Sequence, residues 1–293
     1  MKKLLLLINP VTARTTLGPH LMDVIDCFIK GGYSVSVHIT QRKGETREIA
    51  ATMGENFDII VCVGGDGTLN ETVTGVMRLT NRPQIGYIPA GTTNDFATSW
   101  GIPKNPLEAA RNIVSGKPRK TDVSMFCGRP FVYVAAFGAF TEVSYQTPQQ
   151  LKNSLGRSAY IFEGIKSLST IHPWRMTVEY DGGIISGDFL YGMISNSKSV
   201  GGFELKMKDD ISISDGLMEL VLVRQPDNPA NNAKMLTAVL TQDISSEYIT
   251  FAHTKHVSFT SDIAIPWTVD GEFGGRVQGG EADIIGQAIE LYL

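Results

Sequence analysis

The sequence predicts two folded units: an α/β unit built on a parallel sheet over residues 1–120, and an all-β, antiparallel, sandwich-like unit over residues 121–293. Three observations carry this. Through the first 120 residues, continuous apolar runs alternate with segments whose apolar residues recur at helical spacing, the rhythm of a parallel sheet covered by helices on both faces. From about Thr121 the rhythm changes to short strand-like segments joined by tight turns. A chain of 293 residues also exceeds what one hydrophobic core ordinarily supports.

The elements follow in order. Lys3 to Ile8 is a continuous apolar run, a strand buried on both faces. Leu17, Leu21, Val24, Ile25 and Phe28 then recur on one helical face, and Gly31-Gly32 ends that helix. Val35, Val37 and Ile39 alternate as a strand, and Ile49, Ala50 and Met53 line the next helix. Phe57 to Val63 and Ile85 to Ile88 are two more strands, each running into a glycine-bearing loop and then a helix. Leu107, Ala110, Ile113 and Val114 form a last helix, closed by Ser115-Gly116-Lys117-Pro118. In the second half, Val123 to Phe126, Phe131 to Phe137, Met176 to Tyr180, Ile184 to Ile194, Tyr248 to Thr260, Ala264 to Val269 and Ala288 to Leu293 read as strands. Helices near Gln150 to Leu168 and Ala230 to Leu240 interrupt them.

Composition narrows the function. Hydrophobic residues make up 42% and charged residues 19%, ordinary for a globular protein. The net charge of −4 gives no sign of the strongly basic stripe of a nucleic-acid surface, though it leaves room for a local basic patch facing anionic lipid. The opening apolar run stops at Asn9-Pro10, too short for a signal peptide, and no segment reaches the roughly 18 apolar residues of a membrane-spanning helix. Cys27, Cys62 and Cys127 are odd in number and scattered, as expected of reduced thiols in a cytoplasmic protein. The five histidines lack metal-ligand spacing.

Two loops carry the chemistry. Gly64-Gly65-Asp66-Gly67-Thr68-Leu69-Asn70-Glu71 lies between strand and helix, where glycines admit a polyphosphate to the backbone and tolerate the positive φ that turns successive N–H groups toward one anion. The helix N-terminus adds its electropositive end. Asp66 makes a poor phosphate ligand, since like charges repel, so it is expected to hold a metal through water or to orient a substrate hydroxyl. A plain βα connection would not require Asp66, Thr68, Asn70 and Glu71. The second loop, Pro89-Ala90-Gly91-Thr92-Thr93-Asn94-Asp95, repeats the arrangement, although Thr93, Asn94 or Asp95 would serve equally as an ordinary helix cap.

This pair of loops resembles the diacylglycerol kinase catalytic domain family, the lipid kinases related to sphingosine and ceramide kinases. The resemblance continues in Asn9-Pro10, in Thr40 with Gly44-Glu45, in Lys152-Asn153-Ser154-Leu155-Gly156-Arg157-Ser158-Ala159-Tyr160, in Ser214-Asp215-Gly216-Leu217 and in Val269-Asp270-Gly271-Glu272, in the family's order and spacing. One departure is clear. The family usually has glycine three residues after its Asn-Pro pair, where this chain reads Val11-Thr12-Ala13-Arg14; Arg14 is a phosphate contact or an exposed arginine.

The resemblance implies an N-terminal domain like that of NAD kinases and phosphofructokinases, with the active site in the cleft before a β-sandwich-like domain. It implies ATP held by Gly64, Gly65, Asp66, Gly67, Thr68, Leu69, Asn70, Glu71, Gly91, Thr92, Asn94 and Asp95, with Asn9, Pro10 and Thr40 around the adenosine side. It places Mg2+ at Asp215 with the carbonyls of Ser212 and Leu217, an oxygen-only set that hard cations prefer. The same Asp-Gly is also an ordinary hairpin dipeptide. It sets the general base within Asp270-Gly271-Glu272, with Glu272 the longer-armed member, Asp270 the alternative and Asp66 next. Lys152, Asn153, Arg157 and Tyr160 would border the cleft. The implied reaction is phosphoryl transfer from ATP to a lipid hydroxyl at a membrane surface, most directly diacylglycerol to phosphatidate. A kinase of a soluble hydroxyl substrate such as NAD, or a regulator that binds without turnover, are the rivals. Acyl-chain pockets are built from interchangeable apolar residues, so the residues leave the lipid open.

Overall fold

The structure is a computed structural model, and it describes residues 1–138, 168, 172–200, 203–206 and 211–293. The helix expected over Gln150 to Leu168, with Lys152, Asn153, Arg157 and Tyr160, falls outside the described residues apart from Leu168.

In the first half, strands β1 (Lys2–Ile8), β2 (Tyr33–Ile39), β3 (Ile59–Gly64) and β4 (Gln84–Pro89) pair in parallel in the order β2-β1-β3-β4. Both faces are covered, which is why β1 reads as an unbroken apolar run. Leu5 and Leu7 face one core with Val73, Phe96 and Ile102, while Leu4, Leu6 and Ile8 face the other with Phe28, Ala110 and Ile113. The covering helices are α1 (Pro10–Thr16), α2 (Leu21–Lys30), α3 (Glu45–Met53), α4 (Asp66–Val76), α5 (Asp95–Trp100) and α6 (Pro106–Ser115). Helix α1 carries no apolar periodicity and was not expected. It forms because Asn9 caps it, accepting the Val11 N–H at 3.1 Å, and Pro10 presets its first turn.

The second half holds β5 (Arg119–Phe126), β6 (Arg129–Phe131), β7 (Val134–Gly138), β8 (Trp174–Tyr180), β9 (Gly183–Ser195), the short ribbon of β10 (Ser199–Val200) and β11 (Phe203–Glu204), then β12 (Met218–Arg224), helix α7 (Asn232–Thr241), β13 (Ile249–Thr254), β14 (His256–Val269) and β15 (Glu272–Leu291). Every strand pair within this half is antiparallel. Its core is aromatic: Trp267 lies 4.5 Å from Phe126, 4.8 Å from Phe259 and 4.9 Å from Phe137 between ring centroids.

The two halves share one sheet of thirteen strands among the described residues, in the path β13-β12-β9-β7-β14-β15-β4-β3-β1-β2. The bridge is the end of β15, where Leu291 pairs in parallel with Ile85 of β4 and the Tyr292 N–H donates to the Ile85 carbonyl at 2.9 Å. Ala288, Ile289, Leu291 and Tyr292 therefore fill the cores of the first half. The sequence shows only the last four of β15's twenty residues, from Ala288, as a strand, because Gly274-Gly275 and Gly279-Gly280 break its pattern. Among the described residues no helix is long and apolar enough to cross a membrane.

Candidate active site

Strands β3 and β4 lie side by side and end together, so their two loops meet. The Ala90 N–H donates to the Gly64 carbonyl at 2.7 Å. A methyl group on Gly91 would stand 2.6 Å from the Gly65 Cα, and one on Gly64 would stand 2.2 Å from Thr68 Oγ1. A methyl group on Gly67 would meet nothing within 4 Å. The glycines thus serve close approach at 64, 65 and 91 and open space at 67. None of Gly64, Gly65 and Gly67 has the positive φ expected from the sequence. That conformation belongs to Asn94, at φ 52°, whose side chain closes the second loop on itself: Oδ1 accepts from the Gly91 N–H at 2.9 Å and the Tyr87 hydroxyl at 3.3 Å, while Nδ2 donates to the Gly91 carbonyl at 2.8 Å. Asn94 is a brace of the loop. Thr92 is exposed beside it.

Asp66 joins the loops from below. Its Oδ2 accepts from the Asp95 N–H at 3.0 Å and its Oδ1 from the Phe96 N–H at 3.1 Å, so it caps α5 from across the sheet. Burial first, and the neighbouring Asp95 charge second, push its carboxyl up to about 7. Asp95 is 2% exposed and accepts from the Ser199 hydroxyl at 2.8 Å, and Ser99 Oγ lies 2.8 Å from Ser197 Oγ. A buried polar seam therefore runs from the first loop into the second half.

On the other side, Asn9 Nδ2 donates to Thr68 Oγ1 at 3.2 Å. Pro10 opens α1, with Arg14 exposed in its last turn. Thr40 extends the β1–β2 pairing by one residue, donating from N–H and hydroxyl to the Ile8 carbonyl at 2.9 and 3.3 Å. Asn9 and Thr40 thus sit at the ends of the adjacent strands β1 and β2, with Thr68 of the first turn of α4 bonded to Asn9. Glu71 accepts the Gly44 N–H at 2.9 Å and so fixes the β2–α3 loop. Leu69 is fully buried in one cluster with Leu5, Val73 and Tyr87, so its side chain belongs to the core.

Asp270 and Glu272 differ in surroundings. Asp270 (φ 49°) and Gly271 (φ 78°) make the tight turn between β14 and β15. The buried Asp270 carboxylate accepts from the Val132, Tyr133 and Val134 N–H groups at 2.8, 3.0 and 3.1 Å and from Asn70 Nδ2 at 2.7 Å. Burial pushes its carboxyl up to about 6 against those four donors. Asn70 also donates to the Pro130 carbonyl at 3.0 Å, so α4 is tied to the second half through it. Glu272 instead reaches out of the turn, about half exposed, with Oε1 2.9 Å from Lys43 Nζ of the β2–α3 loop. Lys43 escaped the sequence reading although it lies between Thr40 and Gly44. The cross-cleft pairing that singles it out has no local signature.

Ser212, Asp215 and Leu217 lie together in the turn entering β12, with Leu217 N–H donating to Asp215 Oδ1 at 3.0 Å. This is no simple hairpin. Asp122, unremarked in the sequence, pins the turn by accepting the Gly216 N–H at 2.7 Å and ties it to β15 by accepting the Gln287 N–H at 2.6 Å. Just beyond, Glu219 is fully buried opposite Ser195; burial first, then the Asp215 charge, push its carboxyl up to about 8 against the pull of the Ser195 hydroxyl and nearby backbone N–H groups. The oxygens of the Ser212–Leu217 turn are of the kind a hard divalent cation takes. Among the described residues no three His, Cys, Asp or Glu side chains cluster for a metal, so carbonyl oxygens would have to complete such a shell.

Residues 3–126 match the family described as the diacylglycerol kinase catalytic domain, and residues 135–292 match that described as the YegS C-terminal NAD kinase beta sandwich-like domain. A diacylglycerol kinase of Bacillus subtilis (strain 168) is 35% identical over 282 residues, covering 95% of this chain and 92% of the relative. One of Staphylococcus aureus (strain Newman) is 32% identical over 277 residues, covering 94% and 88%. A crystal structure of a diacylglycerol kinase from Bacillus anthracis str. Sterne superposes with a TM-score of 0.78 at 19% identity, covering 99% of this chain and 96% of that one. A second solved chain from the same strain gives 0.84 at 22%, covering 99% and 95%. At those identities the superpositions speak for the fold.

Proposed function

The chain belongs to the diacylglycerol kinase family and is a lipid kinase, and we propose that it moves the γ-phosphoryl group of ATP to the free hydroxyl of diacylglycerol, giving phosphatidate and ADP. The observation that carries this reading is the Lys43–Glu272 contact, which sets an accessible carboxylate of the second half against the loop that begins at Thr40.

Phosphoryl transfer needs positioning and charge neutralisation more than covalent catalysis. The N–H groups at the start of α4, around the space beside Gly67, and exposed Thr92 would hold the phosphates. Asn9, Thr40 and Thr68 would hold the nucleoside side. Glu272 takes the proton as the lipid oxygen bonds to the γ-phosphorus and the bond to the β–γ bridging oxygen breaks, with the electron pair leaving on ADP. Proton transfer of this kind contributes on the order of 10²–10⁴-fold. Asp270 is less suited to the task, because four donors already occupy its lone pairs. Its role is to hold the turn from which Glu272 extends. Lys43 would meet the γ-phosphate once Glu272 engages the substrate. Mg2+ supplied with the nucleotide would neutralise phosphate charge when bound, and a structural Mg2+ outside the nucleotide pocket would be held at Ser212, Asp215 and Leu217. We place the enzyme in the cytoplasm, in peripheral contact with the membrane that carries its substrate.

The test is incubation with labelled ATP, Mg2+ and a lipid panel in mixed micelles, with NAD and fructose 6-phosphate as soluble acceptors. Label is expected in phosphatidate. Label in a soluble acceptor alone would favour an NAD kinase-like activity, and label in none would favour a binding protein.

A further inference from the structure

The two ends of the large sheet differ. Strand β13, described throughout, closes one end without an exposed large apolar side chain, whereas β2 at the other end has no partner on its outer side among the described residues and leaves Val37 and Ile39 exposed. Sheet edges are ordinarily guarded by a lysine, a proline or a bulge. The run Tyr33-Ser34-Val35-Ser36-Val37-His38-Ile39 holds neither residue, and its register with β1 is unbroken. Thr40 turns its N–H to the Ile8 carbonyl of β1, so by alternation the N–H and C=O groups of Tyr33, Val35, Val37 and Ile39 turn outward. The same four residues form the apolar face of the strand. Tyr33 and Val35 pack under α2 with Ile25 and Phe28, and Val37 and Ile39 continue that stripe into solvent.

Helix α2 widens the patch. Its Asp23, Cys27 and Lys30 flank faces Leu107, Arg111 and Val114 of α6, on the side toward β4. Met22, Ile25 and Ile29 lie on the opposite flank by the 3.6-residue period and so overhang the β2 edge, where Met22 is 77% and Ile29 52% exposed.

We propose that this edge docks a second copy of the chain, β2 pairing antiparallel with its mate about a two-fold axis through Ser36. That register overlaps all seven residues: Tyr33 faces Ile39, Val35 faces Val37 and Ser34 faces His38, so outward backbone groups meet outward backbone groups and apolar side chains meet apolar ones. The two α2 flanks then adjoin over one continuous stripe. No aspartate, glutamate, lysine or arginine of the strand has to be buried, and a two-fold contact closes on itself instead of growing a filament.

The test follows the full chain by sedimentation velocity over a concentration series, with thermal melts to check folding. Wild type should sediment as a dimer. Val37→Lys on the edge and Met22→Glu on the overhanging helix should each weaken the dimer at least about tenfold, as loss of a central contact does, while keeping a cooperative melt. Ile184→Lys, at an exposed position of the second half, should change nothing. Ser36→Cys, in a Cys127→Ser background that removes the exposed native thiol, should form a covalent dimer under a mild thiol oxidant, because facing residues of such a pair stand about 4.5 Å apart at Cα. A wild type that stays monomeric at every concentration overturns the proposal. A dimer that survives Val37→Lys or Met22→Glu in folded form, or that Ser36→Cys fails to cross-link, overturns it too, since the interface then lies elsewhere. Should Val37→Lys lose its cooperative melt, Met22→Glu and the cross-link decide.

Discussion

At the scale of single residues, the site separates carboxylates by environment. Glu272→Gln keeps shape and removes basicity, so kcat should fall by orders of magnitude with little change in the affinity for ATP; near wild-type turnover would move the base elsewhere. Asp270→Asn should act differently. An amide NH2 would face backbone N–H donors, so the variant should lose about 1–3 kcal/mol of stability in denaturant titration, with any loss of rate following from the displaced turn. Asp66 gives a pH signature. Its carboxyl is raised to about 7 in the fold, so between its ordinary range and 7 the folded state holds the proton more tightly than the unfolded chain. The stability it contributes is therefore full below about pH 4 and lost as the pH rises through 7. Melts of the nucleotide-free protein across that range should show wild type losing Tm relative to Asp66→Asn as pH rises; parallel curves would mean that Asp66 stays ionised. The sequence made the chemistry of Asp66, Asn94 and Glu272 visible but not their partners. Asn70 and Asp270 are 200 residues apart. Glu219 alternates with Met218, Leu220 and Leu222, which on its own reads as a solvent-facing position, and only a sheet covered on both faces buries it.

At the scale of elements, the glycines of the two loops serve different ends: Gly65 and Gly91 let the loops meet, while Gly67 faces open space. Gly91→Ala would drive a methyl group to 2.6 Å from the Gly65 Cα, backbone against backbone, so the loops must part; both Tm and turnover should drop. Gly67→Ala lies in the first turn of α4 with open space around it. It should raise stability by about 0.5–1 kcal/mol through helix propensity while weakening ATP binding, if phosphate occupies that space. Unchanged ATP affinity in Gly67→Ala would take the phosphate away from this helix. The strand–loop–helix units around β3 and β4 were legible because buried parallel strands are continuous apolar runs, here followed by glycine-bearing loops. Helix α1 was not, since a cap and a proline make it rather than an apolar face. Most of β15 was not, because its glycines carry no side-chain pattern.

At the scale of the whole molecule, the end of the chain matters most. Ile289, Leu291 and Tyr292 are buried in the cores of the first half, and the full burial of such side chains contributes roughly 1.5–3 kcal/mol each. Deleting residues 288–293 should therefore remove several kcal/mol, comparable with the whole stability of a typical domain. Circular dichroism melts should show a large loss of Tm or no cooperative transition, and a truncated chain with wild-type melting would show that the first half stands alone.

The same bridge sets an order of events during synthesis. While the ribosome is still making the second half, β4 has no neighbour on its outer side, because the residues that cover it lie at the far end of β15. The nascent first half thus waits with an open parallel edge and gaps where the final side chains belong, and the contact that closes it joins residues 206 positions apart, Ile85 and Leu291. Such a contact waits on the synthesis of everything between, so a chain stalled or terminated within the second half would present that edge to other strands and to chaperones.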